Sequence, residues 1–117
     1  NYPFRKEKSD LDIGLEDGAT GVEYLDMLIT VLPDLIESVQ PDFVFYLAGV
    51  DVLATDKLGK FKLSIEECKQ RDKFVLDIVH KHQIPVTVAL GGGYSPDIKD
   101  IVEAHCNTFR LALDLFD

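Results

Sequence analysis

The chain has 117 residues, of which 46% are apolar and 28% charged, a composition that suits a folded domain and argues against disorder. Its net charge of −9 gives no basic face for nucleic acid, so direct DNA or RNA binding is not expected. No apolar run approaches the ~20 residues of a membrane span, and Arg5, Glu7, Lys8 and Asp10 break any leader-like stretch at the start.

In chain order, residues 1–20 are polar, with a short extended piece predicted over Ser9 to Leu15 and a turn at Asp17-Gly18. Thr20 followed by Glu23 has the spacing of a capping box and predicts a helix start. Leu25, Leu28, Ile29, Leu32, Leu35, Ile36 and Val39 recur at helical spacing as one apolar stripe. Pro33 lies within it and predicts a kink or a split. Phe43 to Ala48 is a nearly continuous apolar run after Pro41-Asp42, which predicts a strand buried on both faces. Val50 to Leu63 reads as a long loop. Ser64 with Glu67 forms a second capping box, and Ile65, Cys68, Val75, Leu76 and Val79 make the apolar face of the helix it opens. Val86 to Leu90 is the second strand. Ser95-Pro96-Asp97 is predicted to start a last helix with Ser95 as its cap, lined by Ile98, Ile101, Val102, His105, Phe109, Ala112 and Leu113.

Strand, crossover helix, strand is the unit of a parallel sheet, so the fold class is α/β with a parallel sheet and flanking helices. Two or three strands are few for such a sheet. The chain is expected to have leaned on further strands in a larger protein.

Ligands of open parallel sheets bind beyond the carboxyl ends of the strands. Two loops leave those ends, Gly49 to Gly59 and Gly91 to Ser95, and they carry Asp51 and Tyr94. Asp51 either meets a metal or cation, or accepts N–H groups of its own loop. Gly91-Gly92-Gly93 is either a tight turn or a stretch where backbone approaches a ligand. It fits neither the dinucleotide glycine pattern nor a Walker loop. Tyr94 either donates to a developing oxyanion or packs its ring with its hydroxyl in water. His80, His82 and His105 read as structural, and Cys68 and Cys106, with no C-x-x-C spacing, as small buried hydrophobes of a reducing compartment. The expected location is cytoplasmic, or nuclear in a eukaryote.

Phe43 to Ser95 carries a more specific series. An apolar strand leads to Ala48-Gly49-Val50-Asp51, then Asp56-Lys57-Leu58-Gly59 and Leu63-Ser64-Ile65 opening a helix. Ile84-Pro85, a second strand and Gly91-Gly92-Gly93-Tyr94-Ser95 follow. This order resembles the histone deacetylase and acetoin-utilisation family. The opening Asn1-Tyr2-Pro3-Phe4 and Ser9 to Ile13 are similar to bacterial and class IV-like members. The resemblance implies a three-layer arginase/deacetylase-like fold, with residues 1–117 the C-terminal segment of one larger catalytic domain. It implies hydrolysis of an N-acetyl amide on acetyl-lysine or a small acetylated amine. It also implies a zinc ion held by two aspartates and a histidine, with Asp51 the later aspartate and Tyr94 the oxyanion donor. Gly92, Gly93 and Leu58 would shape the substrate channel.

The family's paired histidines and its Asp-x-His motif have no counterpart in these residues. Within the family they lie upstream of the matched region. Catalytic zinc takes three protein ligands, so the chain by itself is expected to bind zinc weakly and to be inactive. Two other readings stay open on the residues alone. One is a non-enzymatic module that self-associates through the surface its missing part would cover. The other is a small flavodoxin-like domain that binds a phosphate ligand at the glycines.

Overall fold

The computed structural model describes residues 3–116. Asn1 and Tyr2, part of the opening family-like stretch, lie outside the described residues. The elements run α1 (Gly21–Val39), β1 (Val44–Gly49), α2 (Ile65–Lys81), β2 (Val86–Gly91) and α3 (Ile98–Phe116). Among the described residues no helix is long and apolar enough to cross a membrane.

Both capping boxes form. The Thr20 hydroxyl accepts the Glu23 N–H while the Glu23 carboxylate accepts the Thr20 N–H, and Ser64 and Glu67 do the same for α2. Each box satisfies N–H groups that a helix start leaves without partners. Pro33 does not split α1, which is continuous for 19 residues. The helix stops at Gln40, whose φ of 49° takes the left-handed conformation and returns its N–H to the Ile36 carbonyl. Ser9 to Leu15 forms no strand. Instead the Ser9 N–H and hydroxyl both donate to the Asp12 carboxylate, which closes the segment into a turn.

β1 and β2 pair in parallel, Val44 opposite Val86 through Gly49 opposite Gly91. The crossover helix α2 packs against α1 on one side and α3 on the other. Ile36, Ile78, Val79 and Ile84 form one core cluster with Val44 and Val86 against it. Val50, Leu53, Cys68 and Ala104 form a second beneath the loop that follows β1. Fully burying each of the larger side chains contributes roughly 1.5–3 kcal/mol.

The strands are not buried on both faces. Val44, Tyr46 and Ala48 turn toward the helices, whereas Phe45 and Leu47 are 76% and 78% exposed. A strand alternates its side chains, so an apolar run buries both sets only when layers lie above and below. This chain supplies a helix layer to one face. The last helix differs as well. Ala104, Asn107, Thr108 and Leu111 are its buried residues, while Ile98, Val102, Phe109 and Leu113 are exposed. Asp97, not Ser95, caps α3: its carboxylate accepts the Lys99 N–H at 2.9 Å.

Two charged residues, Arg71 and Asp72, occupy the core side of α2. They fall on the same stripe as Cys68, Val75 and Val79, at helical spacing. Asp72 accepts from Arg71 Nε at 3.0 Å and Nη2 at 2.8 Å, from the Thr108 hydroxyl of α3 at 2.5 Å, and from the Tyr46 hydroxyl of β1. Arg71 Nη1 donates to the Gly49 carbonyl at 2.7 Å. Burial raises the Tyr46 phenol far above its ordinary pKa, so it keeps its proton and donates. This network joins β1, α2 and α3 at the end of β1 from which the candidate site begins.

Candidate functional site

Because Gly49 and Gly91 are register partners, the two loops leave the sheet side by side. The Val50 N–H extends the ladder one step further, to the Gly91 carbonyl at 3.0 Å. The chain then turns, and the Asp51 backbone is enclosed between two glycines. A Cβ on Gly59 would lie 1.7 Å from the Asp51 carbonyl oxygen, and one on Gly92 would lie 2.7 Å from the Asp51 nitrogen. Gly92 and Gly93 also hold φ values of 72° and 113°, which side chains rarely adopt. The triple glycine therefore serves as a close approach between loops, and at two positions as left-handed backbone.

Asp51 is half-buried, and Oδ1 of its carboxylate lies over the Gly49 Cα. Among the described residues that carboxylate has no hydrogen-bond or ion-pair partner. The loop cap is a different residue, Asp56. It is 8% exposed, and its Oδ1 accepts the N–H groups of Leu58 at 2.9 Å and Gly59 at 2.8 Å. Its Oδ2 accepts the Tyr94 N–H at 3.0 Å. Burial pushes the Asp56 carboxyl up, but N–H groups of Gly59, Tyr94, Leu58 and Gly93 together outweigh that and hold it below the ordinary aspartate value. The Lys57 N–H donates to the Tyr94 carbonyl at 3.3 Å, and the Thr55 and Ser95 hydroxyls share a hydrogen bond of 2.8 Å.

Tyr94 is thus gripped at its own N–H and carbonyl, while its side chain projects from the surface. Leu58 is exposed on the facing loop. Gly92 is exposed against Asp51, and Gly93 packs on Ile101 of α3. Asp51, Leu58, Gly92, Gly93 and Tyr94 therefore all belong to one loop pair at one end of the sheet.

The histidines lie elsewhere. A crossover helix runs back along the sheet, so the end of α2 with His80 and the capping residue His82 is at the far end from Asp51. His80 packs edge-on against Phe116, with ring centroids 5.1 Å apart. His105 sits in α3, and its Nδ1 is buried without a hydrogen-bond partner among the described residues. Cys68 is buried and Cys106 half-buried, both as free thiols. Among the described residues no three histidine, cysteine or acidic side chains come together to hold a metal ion.

Sequence reasoning passed over Asp56, although the Asp-x-x-Gly spacing of Asp56 and Gly59 is that of a side chain bonding its own loop. It also passed over Arg71 and Asp72. Their interruption of an apolar stripe was the available signal.

Comparison with known proteins bears on residues 4–109, which match the family model described as the histone deacetylase domain. Over 116 residues the chain is 40% identical to an uncharacterized protein of Picosynechococcus sp., covering 99% of this chain and 39% of that protein. It is 33% identical over 96 residues to Histone deacetylase 2 of Arabidopsis thaliana, covering 80% of this chain and 25% of the relative. Histone deacetylase 9 of the same plant is 32% identical over 87 residues, covering 74% and 20%. The chain thus spans about two fifths of the length of one relative, a quarter of another and a fifth of the third. The crystal structure of the HDA15 HD domain superposes with a TM-score of 0.68 at 23% identity, over 82% of this chain and 26% of that one. That likeness shows the fold: a parallel sheet with flanking helices, as in the deacetylase domain.

Proposed function

The chain belongs to the histone deacetylase domain family, and from that premise we propose that it forms the C-terminal segment of a zinc-dependent N-acetyl amide hydrolase. Its substrate would be acetyl-lysine or a small acetylated amine. The observation that carries this reading is the Asp51 carboxylate, which has no hydrogen-bond or ion-pair partner among the described residues and stands on a loop clasped to the one that bears Tyr94. A partly buried carboxylate without a partner is costly, and a metal ion supplies what the loop does not.

The residues fit zinc in part. Asp51 gives one oxygen ligand, and the remaining ligands must come from outside the described residues. When bound, the metal would polarise the acetyl carbonyl as a Lewis acid. The chain's own contribution at the reacting centre is then Tyr94, whose phenol donates to the oxygen as negative charge develops there. Gly92, Gly93 and Leu58 would shape the entrance for the acyl chain, the glycines through the left-handed turn that seats their loop against Asp51 and Ile101, and the leucine as an apolar wall.

The test is Tyr94→Phe in the complete protein. Zinc content and KM for an acetylated lysine peptide should stay near wild type, and kcat should fall about 100- to 1,000-fold, as for other oxyanion donors. Wild-type turnover in Tyr94→Phe removes the role assigned to the phenol.

The chain on its own has a second reading as an association module, favoured by the bare apolar face at Phe45 and Leu47. Light scattering on the isolated chain should register oligomers, and Phe45→Ser combined with Leu47→Ser should return it toward monomer. A monodisperse wild-type monomer that binds no apolar dye counts against this reading.

A further inference from the structure

Among the described residues, the partners of the Asp56 carboxylate are all backbone N–H groups, and they come from both loops of the site. Oδ1 closes the Leu58-Gly59 turn, which presses Gly59 onto the Asp51 carbonyl. Oδ2 takes the Tyr94 N–H from a loop 38 residues away. Lys57, the next residue, donates its N–H to the Tyr94 carbonyl. Among the described residues no hydrogen bond or ring-ring contact restrains the Tyr94 ring itself, which is more than half exposed. Its place is therefore set through its main chain.

We infer that Asp56 is a positioning residue for Tyr94, a carboxylate clasp that fixes the spacing between the tyrosine loop and the Asp51 loop. This rests on the reading of Tyr94 as the oxyanion donor. The requirement is for an acceptor on both oxygens. Asparagine has nearly the same shape, but its amide group is a donor and must face either the Tyr94 N–H or the Leu58-Gly59 pair. Whichever way it turns, one side of the clasp opens. A displacement of about 1 Å at a catalytic group can cost on the order of 100-fold in rate.

The experiment combines kinetics and amide exchange on the complete protein. In Asp56→Asn, kcat on an acetyl-lysine peptide should fall about 10- to 100-fold with zinc content kept and KM within about twofold. In a Tyr94→Phe background the same change should cost less than about threefold more, because its effect passes through a hydroxyl already absent. Full additivity, or loss of zinc with Asp56→Asn, overturns the assignment. Hydrogen exchange gives a readout that needs neither activity nor a folded variant. The wild-type Tyr94 amide should be protected, and exchange as fast as an open loop overturns the clasp. Wild-type protein that fails to hydrolyse the peptide removes the deacetylase reading, and the exchange result still decides on the clasp.

Discussion

Asp51→Ala in the complete protein is expected to strip its zinc and bring acetyl-lysine hydrolysis to background. Removing an outer-shell partner of a metal ligand typically costs 10- to 100-fold in metal affinity, and removing the ligand itself should exceed about 100-fold. Two roles were open for this aspartate, metal ligand or loop cap, and they predict opposite losses. A loop cap replaced by alanine loses about 1 kcal/mol of stability and no metal. Here the Leu58, Gly59 and Tyr94 N–H groups go to the Asp56 carboxylate, and among the described residues the Asp51 carboxylate receives none. Asp51→Ala should therefore be at least as stable as wild type when both are metal-free, since it breaks no hydrogen bond or ion pair among the described residues and removes a partly buried carboxylate without a partner. Zinc-to-protein ratio, peptide deacetylation and urea denaturation of the metal-free proteins measure the three quantities. An Asp51→Ala protein that still holds one equivalent of zinc ends the ligand assignment, and one that keeps its metal and loses stability makes Asp51 a cap.

Asp72→Ala is expected to cost about 3–5 kcal/mol, the range for breaking a buried ion pair from one side. Its carboxylate is 0% exposed and its partner Arg71 4%. Alanine at 72 leaves a guanidinium in the core with the Gly49 carbonyl as its remaining hydrogen-bond acceptor among the described residues. It also orphans the hydroxyls of Tyr46 and Thr108. Domains of this size hold only about 5–15 kcal/mol in total, so the loss removes a large share of the folded state's advantage. Equilibrium denaturation gives the value. Arg71→Met with Asp72→Leu should cost less than Asp72→Ala alone, because a pair removed from both sides leaves no unpaired charge. A loss under about 1 kcal/mol for Asp72→Ala means that water reaches the pair and that it does not hold β1 to α2 and α3.

Much of the scaffold was readable because it is written locally. Two capping boxes, two apolar runs bounded by Pro-Asp and Ile-Pro, and a crossover between them predict the helices, the strands and their parallel pairing. Each signal lies within a few residues of what it specifies. The same locality explains the misplaced cap. Ser95 has the right chemistry one step before Pro96, but its hydroxyl is drawn to Thr55 of the facing loop, and Asp97 caps the helix in its place.

The sequence by itself determined the order of elements, the two loops at the carboxyl ends of the strands, and the family series running from Phe43 to Ser95. Tertiary structure alone decided which faces meet. Phe45 and Leu47 carry the apolar pattern of a sheet covered on both sides, yet this chain brings helices to only one. Arg71 and Asp72 interrupt an apolar stripe along the chain and become a buried junction once Tyr46, Gly49 and Thr108 converge on them. The pairing of Asp56 with Tyr94 likewise exists only after the two strands align, since nothing in either segment encodes the other. Caps and periodicities act between near neighbours along the backbone, whereas these contacts depend on folded geometry bringing distant residues within the ~3 Å reach of a hydrogen bond.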